Sequence, residues 1–86
     1  MGLKPLAYLR DYAYSGADPK EELLLGPAYA SPIALAKANL SLKDIDVFEY
    51  HEAFAGQILA NVAAMDSEKF CTENCGLKGK VGGTCV

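Results

Sequence analysis

The sequence predicts an α/β protein, and more narrowly an excerpt from a larger layered one. Three observations carry this. Residues 6–18 and 45–50 are rich in the aromatic and branched side chains that favour strands. The second of these runs straight into a helix-like stretch that reaches about Met65. That stretch is apolar nearly all round, because between residues 53 and 65 only Gly56, Gln57 and Asn61 are not apolar. A surface helix shows a single apolar stripe, so this one is expected to lie buried between layers, and the other elements are too few to cover it.

The composition agrees with an excerpt. The chain has 86 residues, of which 51% are apolar and 22% charged, with no tryptophan. A domain of this size buries only about 60–65% of the surface its unfolded chain exposes, so such apolar content suits a piece of a larger core. The net charge is −3 and the basic residues do not cluster, which argues against nucleic acid as a partner. No apolar run approaches the ~20 residues of a membrane span. The first residues, Gly2-Leu3-Lys4-Pro5, carry no signal-peptide pattern, so secretion is not expected.

Taken in order, residues 6–18 form the first expected strand, with Leu6, Tyr8, Arg10, Tyr12 and Tyr14 on one face. Ser15-Gly16 and Asp18-Pro19 end it in turn residues. Gly26-Pro27 is expected to break any helix at the short apolar patch Leu23 to Leu25. Ser31-Pro32 then opens a short helix over residues 33–38, with the hydroxyl as cap and proline at the first helical position. Asn39 suits its C-terminal cap. Ser41 with Asp44 three residues later forms a weaker relative of the capping box. Residues 45–50 make the second, short strand. His51 or Glu52 opens the apolar helix, and Asp66 or Ser67 caps one last turn before an irregular tail rich in glycine.

Cys71, Cys75 and Cys85 cluster in the last sixteen residues. An odd count without a secretory pattern argues against a disulfide scaffold. A metal site would need His51 or a carboxylate as fourth ligand, and the spacing fits no familiar zinc pattern. The three are therefore read as incidental reduced thiols.

His51 is the only histidine, and it falls at the junction of strand and helix. In layered α/β proteins ligands collect outside the carboxyl ends of strands, near helix N-termini. A neutral imidazole there can donate a hydrogen bond to a developing oxyanion. Glu52 could hold the other ring nitrogen or cap helix amides, and Phe54 could wall an acyl chain. On spacing alone, though, a lone histidine at a helix entrance is more often a cap or a satisfied polar residue.

The stretch HEAFAGQILAN, preceded by VFEY and, further upstream, by GPAYASPIALAKANLSLKDID, resembles the C-terminal half of the thiolase family. Most thiolases carry Asn-Glu-Ala-Phe-Ala at this point, and the His-Glu-Ala-Phe form resembles the long-chain 3-ketoacyl-CoA branch. KPLAYLRDYAYSGADPKEELLLGP and AMDSEKF resemble that branch as well. The similarity spans residues 2–81, so residues 1–81 are expected to be a partial thiolase C-terminal domain and residues 82–86 a divergent tail.

The resemblance implies a five-layered αβαβα fold, of which this chain supplies strand, short helix, strand, buried helix and tail. It implies thiolytic cleavage of 3-ketoacyl-CoA in fatty-acid β-oxidation, with coenzyme A as a substrate and no resident cofactor. It implies a mitochondrial location. The implied partners are the remainder of a thiolase chain, a second copy, and, as a further candidate, an α subunit. By residue, it gives His51 a place in the oxyanion hole and Phe54 a place beside the acyl-CoA pocket. Leu23 falls near the family's CoA-contacting methionine, although the loop here is one residue longer. The family's nucleophilic cysteine, its Gly-His-Pro histidine and its C-terminal cysteine motif are not among these residues. Cys71, Cys75 and Cys85 do not match them. The 86 residues alone are accordingly expected to be inactive. The alternative reading is a non-catalytic thiolase-like interaction module, held by a partner through its apolar helix.

Overall fold

The structure, a computed structural model, describes residues 1–77. Three α-helices and one 3₁₀ turn form in the order α1 (Gly26–Ala38), the 3₁₀ turn (Leu42–Asp44), α2 (Ala55–Met65) and α3 (Glu68–Asn74). Helix α2 packs between α1 and α3. The tail beyond residue 77, including Cys85 and the Gly82-Gly83 pair, lies outside the described residues.

Helix α1 starts seven residues earlier than the sequence suggests. Gly26-Pro27, expected to break a helix, is instead its entrance. The first turn of a helix has no use for its N–H groups, so a proline there costs little. Pro32, expected to open the helix, sits inside it and is buried. The C-terminal end follows expectation. Asn39 takes the left-handed conformation (φ 56°, ψ 43°). Its N–H bonds the Ala36 carbonyl at 3.1 Å and the Leu40 N–H bonds that of Leu35 at 2.9 Å, the paired arrangement of a Schellman ending.

The expected pairing of Ser41 with Asp44 is present. The Asp44 carboxylate accepts from both the Ser41 N–H and the Ser41 hydroxyl at 2.8 Å. These bonds, the backbone one first, hold its carboxyl below the usual range.

Helix α2 begins at Ala55, not at His51 or Glu52. The reason is Gln57, whose side chain accepts from the Phe54 N–H at a long 3.4 Å. This is the glutamine half of a capping box. Phe54 (φ −143°, ψ 139°) is extended and supplies no capping oxygen. Ser67 caps α3 as expected, its hydroxyl accepting from the Phe70 N–H at 3.2 Å. The helix then runs to Asn74 rather than for one turn. Gly76, at φ 65°, turns the chain back, and the Leu77 N–H reaches the Cys71 carbonyl at 3.1 Å.

The two expected strands do not form among the described residues. A strand is defined by its pairing, and neither segment finds a second edge here. Their strand-like period survives locally. Tyr12 meets Tyr14 with centroids 5.6 Å apart, and Phe48 stacks near Tyr50 at 6.5 Å, as residues two apart do in extended chain. The first segment is fastened to α1 at two points. The Ser15 hydroxyl donates to the Gly26 carbonyl at 2.9 Å. Lys37 Nζ donates to the Tyr12 carbonyl at 3.2 Å and lies 5.6 Å from its ring.

The core is small: Ala28, Pro32, Leu42, Met65 and Cys71 are buried, together with one polar residue, Asn61. Among the described residues, helix α2 is not enclosed. Leu59 is 66% exposed, and Ala60 and Ala63 are exposed too. Among the described residues α2 leans on α1, α3 and a few side contacts such as Tyr50 on Met65, which leaves these positions uncovered. The radius of gyration, 14.1 Å, exceeds the roughly 12 Å of a compact domain of this length.

Candidate functional site

An open groove of about 410 Å³ runs between α1 and residues 45–51. Ala34, Leu35 and Ala38 of α1, with Leu40 and Leu42, supply apolar lining, and Val47 and Phe48 lie on the facing segment. Arg10, Asp11, Glu49 and His51 add charged and polar groups. A mostly apolar trough with a few polar groups is the ordinary form of a small-molecule site, and its volume lies in that range.

His51 lines this groove and is exposed. Among the described residues its imidazole makes no hydrogen bond, while its carbonyl accepts from Gln57 Nε2 at 3.2 Å. His51 therefore does not cap α2, which starts four residues later. Glu52 is exposed and bonds neither the ring nor the helix amides. Phe54, 65% exposed, stands at the entrance of α2, outside the groove lining, and Leu23, also 65% exposed, lies in the turns before α1. Of the three residues singled out in the sequence, His51 lines this groove, and Phe54 and Leu23 do not.

Two residues not assigned a role in the sequence tie the segments that carry Leu23 and His51 to α2. Asn61, fully buried, is the centre. Its Oδ1 accepts from the Ala28 N–H at 2.8 Å. Its Nδ2 donates to the Leu24 carbonyl at 3.0 Å and to the Gln57 carbonyl at 2.8 Å. Leu24 is held at φ 67°, a conformation that costs a non-glycine residue about 1–2 kcal/mol. Gln57, one turn before Asn61, reaches the other way to His51 and Phe54. The available signal was their spacing: two amides four apart share one face of a helix, and polar residues on an otherwise apolar helix need buried partners.

The turn that carries Leu23 has further supports. Lys20 and Glu22 N–H groups bond Asp18 at 2.9 and 2.8 Å, so Asp18-Pro19 makes the turn expected of it. Tyr29 donates its phenol proton to the Glu22 carboxylate in a short hydrogen bond. Its ring packs on Phe70 with centroids 4.8 Å apart. The bond to Glu22, then burial, then the carboxylate charge push its pKa up to about 12.

Cys71 and Cys75 are free thiols. Cys71, buried, points its Sγ at the Met65 carbonyl at 3.4 Å, and Cys75 approaches the Ala28 carbonyl at 3.8 Å. Burial, then its neighbour Cys71, push the Cys75 thiol up, away from the thiolate a nucleophile requires. No group of three His, Cys, Asp or Glu side chains among the described residues is placed to hold a metal. No helix among them is long and apolar enough to cross a membrane.

Residues 3–82 match the family described as thiolase, C-terminal domain. The chain belongs to the thiolase family and corresponds to part of its C-terminal region. It is 62% identical over 82 residues to the mitochondrial trifunctional enzyme subunit beta of Bos taurus, covering 95% of this chain and 17% of that protein. It is 63% identical over 81 residues to a probable 3-ketoacyl-CoA thiolase of Caenorhabditis elegans, covering 94% and 18%. A bacterial 3-ketoacyl-CoA thiolase, from Photobacterium profundum, is 48% identical over 82 residues, covering 95% and 19%. The chain spans less than a fifth of the length of these relatives.

Proposed function

We propose that the chain serves as part of a 3-ketoacyl-CoA thiolase (acetyl-CoA C-acyltransferase) of fatty-acid β-oxidation, with His51 in the oxyanion hole. The observation that carries this is the placing of His51. It lies inside the family match, with its imidazole uncommitted beside an apolar groove, and the His-Glu-Ala-Phe motif around it resembles the one in which thiolases carry the oxyanion-hole His/Asn. One ring N–H donates to the oxygen on which negative charge develops as the ketoacyl carbonyl is attacked, and a donor used in this way is worth about 10²–10³ in kcat. Phe54 and Leu23 supply apolar wall to the acyl-CoA. The nucleophile and its base come from other thiolase segments, as the family resemblance implies. Coenzyme A is a substrate here, and no resident cofactor is invoked.

In the complete enzyme, residues 6–18 and 45–50 pair as strands of the αβαβα fold, and α2 is covered by the remaining layers. A homodimer and an α subunit of a trifunctional assembly are the protein partners, in keeping with the name of the bovine relative. That name also favours a mitochondrial location, which the bacterial relative shows is not shared by the whole family.

The test is a chimaera in which residues 3–82 replace the matched segment of the bovine subunit, assayed for thiolysis of a long-chain 3-ketoacyl-CoA. The chimaera is expected to turn over, and His51→Ala to lower kcat by about 10²–10³. An active chimaera indifferent to His51→Ala would overturn the assignment.

A further inference from the structure

Between residues 53 and 65, the two polar side chains with hydrogen-bonding groups are Gln57 and Asn61. They lie one turn apart, and their bonds form a continuous path. Asn61 Nδ2 holds the Leu24 carbonyl at 3.0 Å and the Gln57 carbonyl at 2.8 Å. Gln57 Nε2 holds the His51 carbonyl at 3.2 Å. The path joins the strained turn beside Leu23 to the backbone of His51 without touching the imidazole.

We propose that Gln57 is a positioning residue for His51, with Asn61 as the buried anchor that fixes the turn of α2 from which Gln57 reaches. The proposal rests on the thiolase reading of His51. Residues 51–54 belong to no helix or strand, so nothing in regular structure sets the His51–Glu52 peptide plane. The Gln57 amide does so by donating to the His51 carbonyl. A side chain that must meet a developing oxyanion within a few tenths of an ångström gains from this, because small misplacements cost up to about 10² in rate.

Gln57 also accepts from the Phe54 N–H, and the two bonds separate by substitution. Gln57→Glu keeps an acceptor for Phe54 and places a negative charge at the helix N-terminus, where the dipole favours it. It has no proton to donate to the His51 carbonyl. Helix capping survives and the tie to His51 does not.

The experiment is a double-mutant cycle on kcat in the chimaeric thiolase, using His51→Ala, Gln57→Glu and both together. Gln57→Glu is expected to lower kcat by about tenfold, to leave KM within about threefold, and to leave the thermal midpoint within about 2 °C. In the His51→Ala background it is expected to cost nothing further, since a residue that acts through another loses its effect when that one is removed. Unchanged kcat in Gln57→Glu, or the same tenfold loss with and without His51, would overturn the proposal. If Gln57→Glu does not fold, Gln57→Met, which removes both bonds without adding charge, is read through the same cycle. The two hypotheses fail differently. An indifferent His51→Ala sinks the thiolase assignment of His51 and this inference with it. A costly His51→Ala beside a neutral Gln57→Glu sinks this inference alone.

Discussion

The thiol of Cys75 lies 3.8 Å from the carbonyl oxygen of Ala28, 47 residues earlier in the chain. In an unbroken helix that carbonyl would accept from the N–H four residues on. That residue is Pro32, which has no N–H. Cys75 therefore stands where the proline leaves an acceptor without its helical partner, and the Ala28 peptide is held from both sides, its N–H by Asn61 and its carbonyl by sulfur. A coupling between Cys75 and Pro32 follows. Cys75→Ala is expected to destabilise the fold, and to do so by about 0.5–1 kcal/mol less once Pro32→Ala restores the helical donor. Urea unfolding of the four variants, followed by helical circular dichroism, measures the difference. Equal costs in both backgrounds would contradict the pairing.

Asn61 is expected to be the most sensitive polar position. Asn61→Leu leaves the Leu24 carbonyl without its side-chain partner and the Ala28 N–H with its bond to the Leu25 carbonyl alone, and an unsatisfied buried group costs about 1–3 kcal/mol. A loss of about 1–3 kcal/mol in the same urea experiment is expected. A loss under 1 kcal/mol would mean that these bonds contribute little.

Tyr29 gives a pH signature. Its folded pKa, about 12, stands above its ordinary 10.0. The folded state therefore holds the phenol proton more tightly than the unfolded state does. The stabilisation is complete below pH 10 and is lost as the pH rises from 10 to about 12. Absorbance of phenolate on alkaline titration should show one of the five tyrosines ionising about two units late, and Tyr29→Phe should remove that late step.

The chain by itself is expected to associate in solution. Phe54 is 65% and Leu59 66% exposed, and large exposed apolar patches mark interaction or aggregation. Light scattering should give masses above the 9.2 kDa of a monomer, with Leu59→Glu shifting the distribution downward. A well-dispersed monomer would refute this.

The isolated chain is also expected to show no thiolysis of 3-ketoacyl-CoA with free coenzyme A. Of its described cysteines, Cys71 is buried and Cys75 is raised in pKa and directed at a carbonyl. Covalent acyl transfer needs a nucleophile with a base in reach. Turnover abolished by His51→Ala would show the expectation wrong.

The parts of this fold that were legible in the sequence are those decided within a few residues. Asn39, Ser41 with Asp44, and Ser67 each act on backbone groups two to five positions away. Helix starts were harder. Gly26-Pro27 serves equally to stop a helix or to begin one, and Phe54 carries no capping oxygen, so polar His51 and Glu52 drew the boundary too early. The expected strands find no pairing edge among the described residues, and local pattern does not supply a partner. For His51 it is the surrounding motif, and not its spacing, that carries the proposed chemistry. The roles of Gln57 and Asn61 were only half legible. Their spacing announced a shared buried face, but Leu24 and Ala28 lie 37 and 33 residues before Asn61, and no short-range rule selects them.

The buried face of α2 is marked by a directional amide as well as by an apolar side chain, Met65. Apolar contacts tolerate sliding, whereas three hydrogen bonds to fixed backbone atoms do not. Inserting one residue between Gln57 and Asn61 would turn the amide by about 100°, away from Ala28 and Leu24. In the isolated chain, length changes should therefore be excluded from that single turn of helix, yet tolerated in residues 46–50, whose backbone makes no hydrogen bond among the described residues. The helix is keyed, and the key is one asparagine.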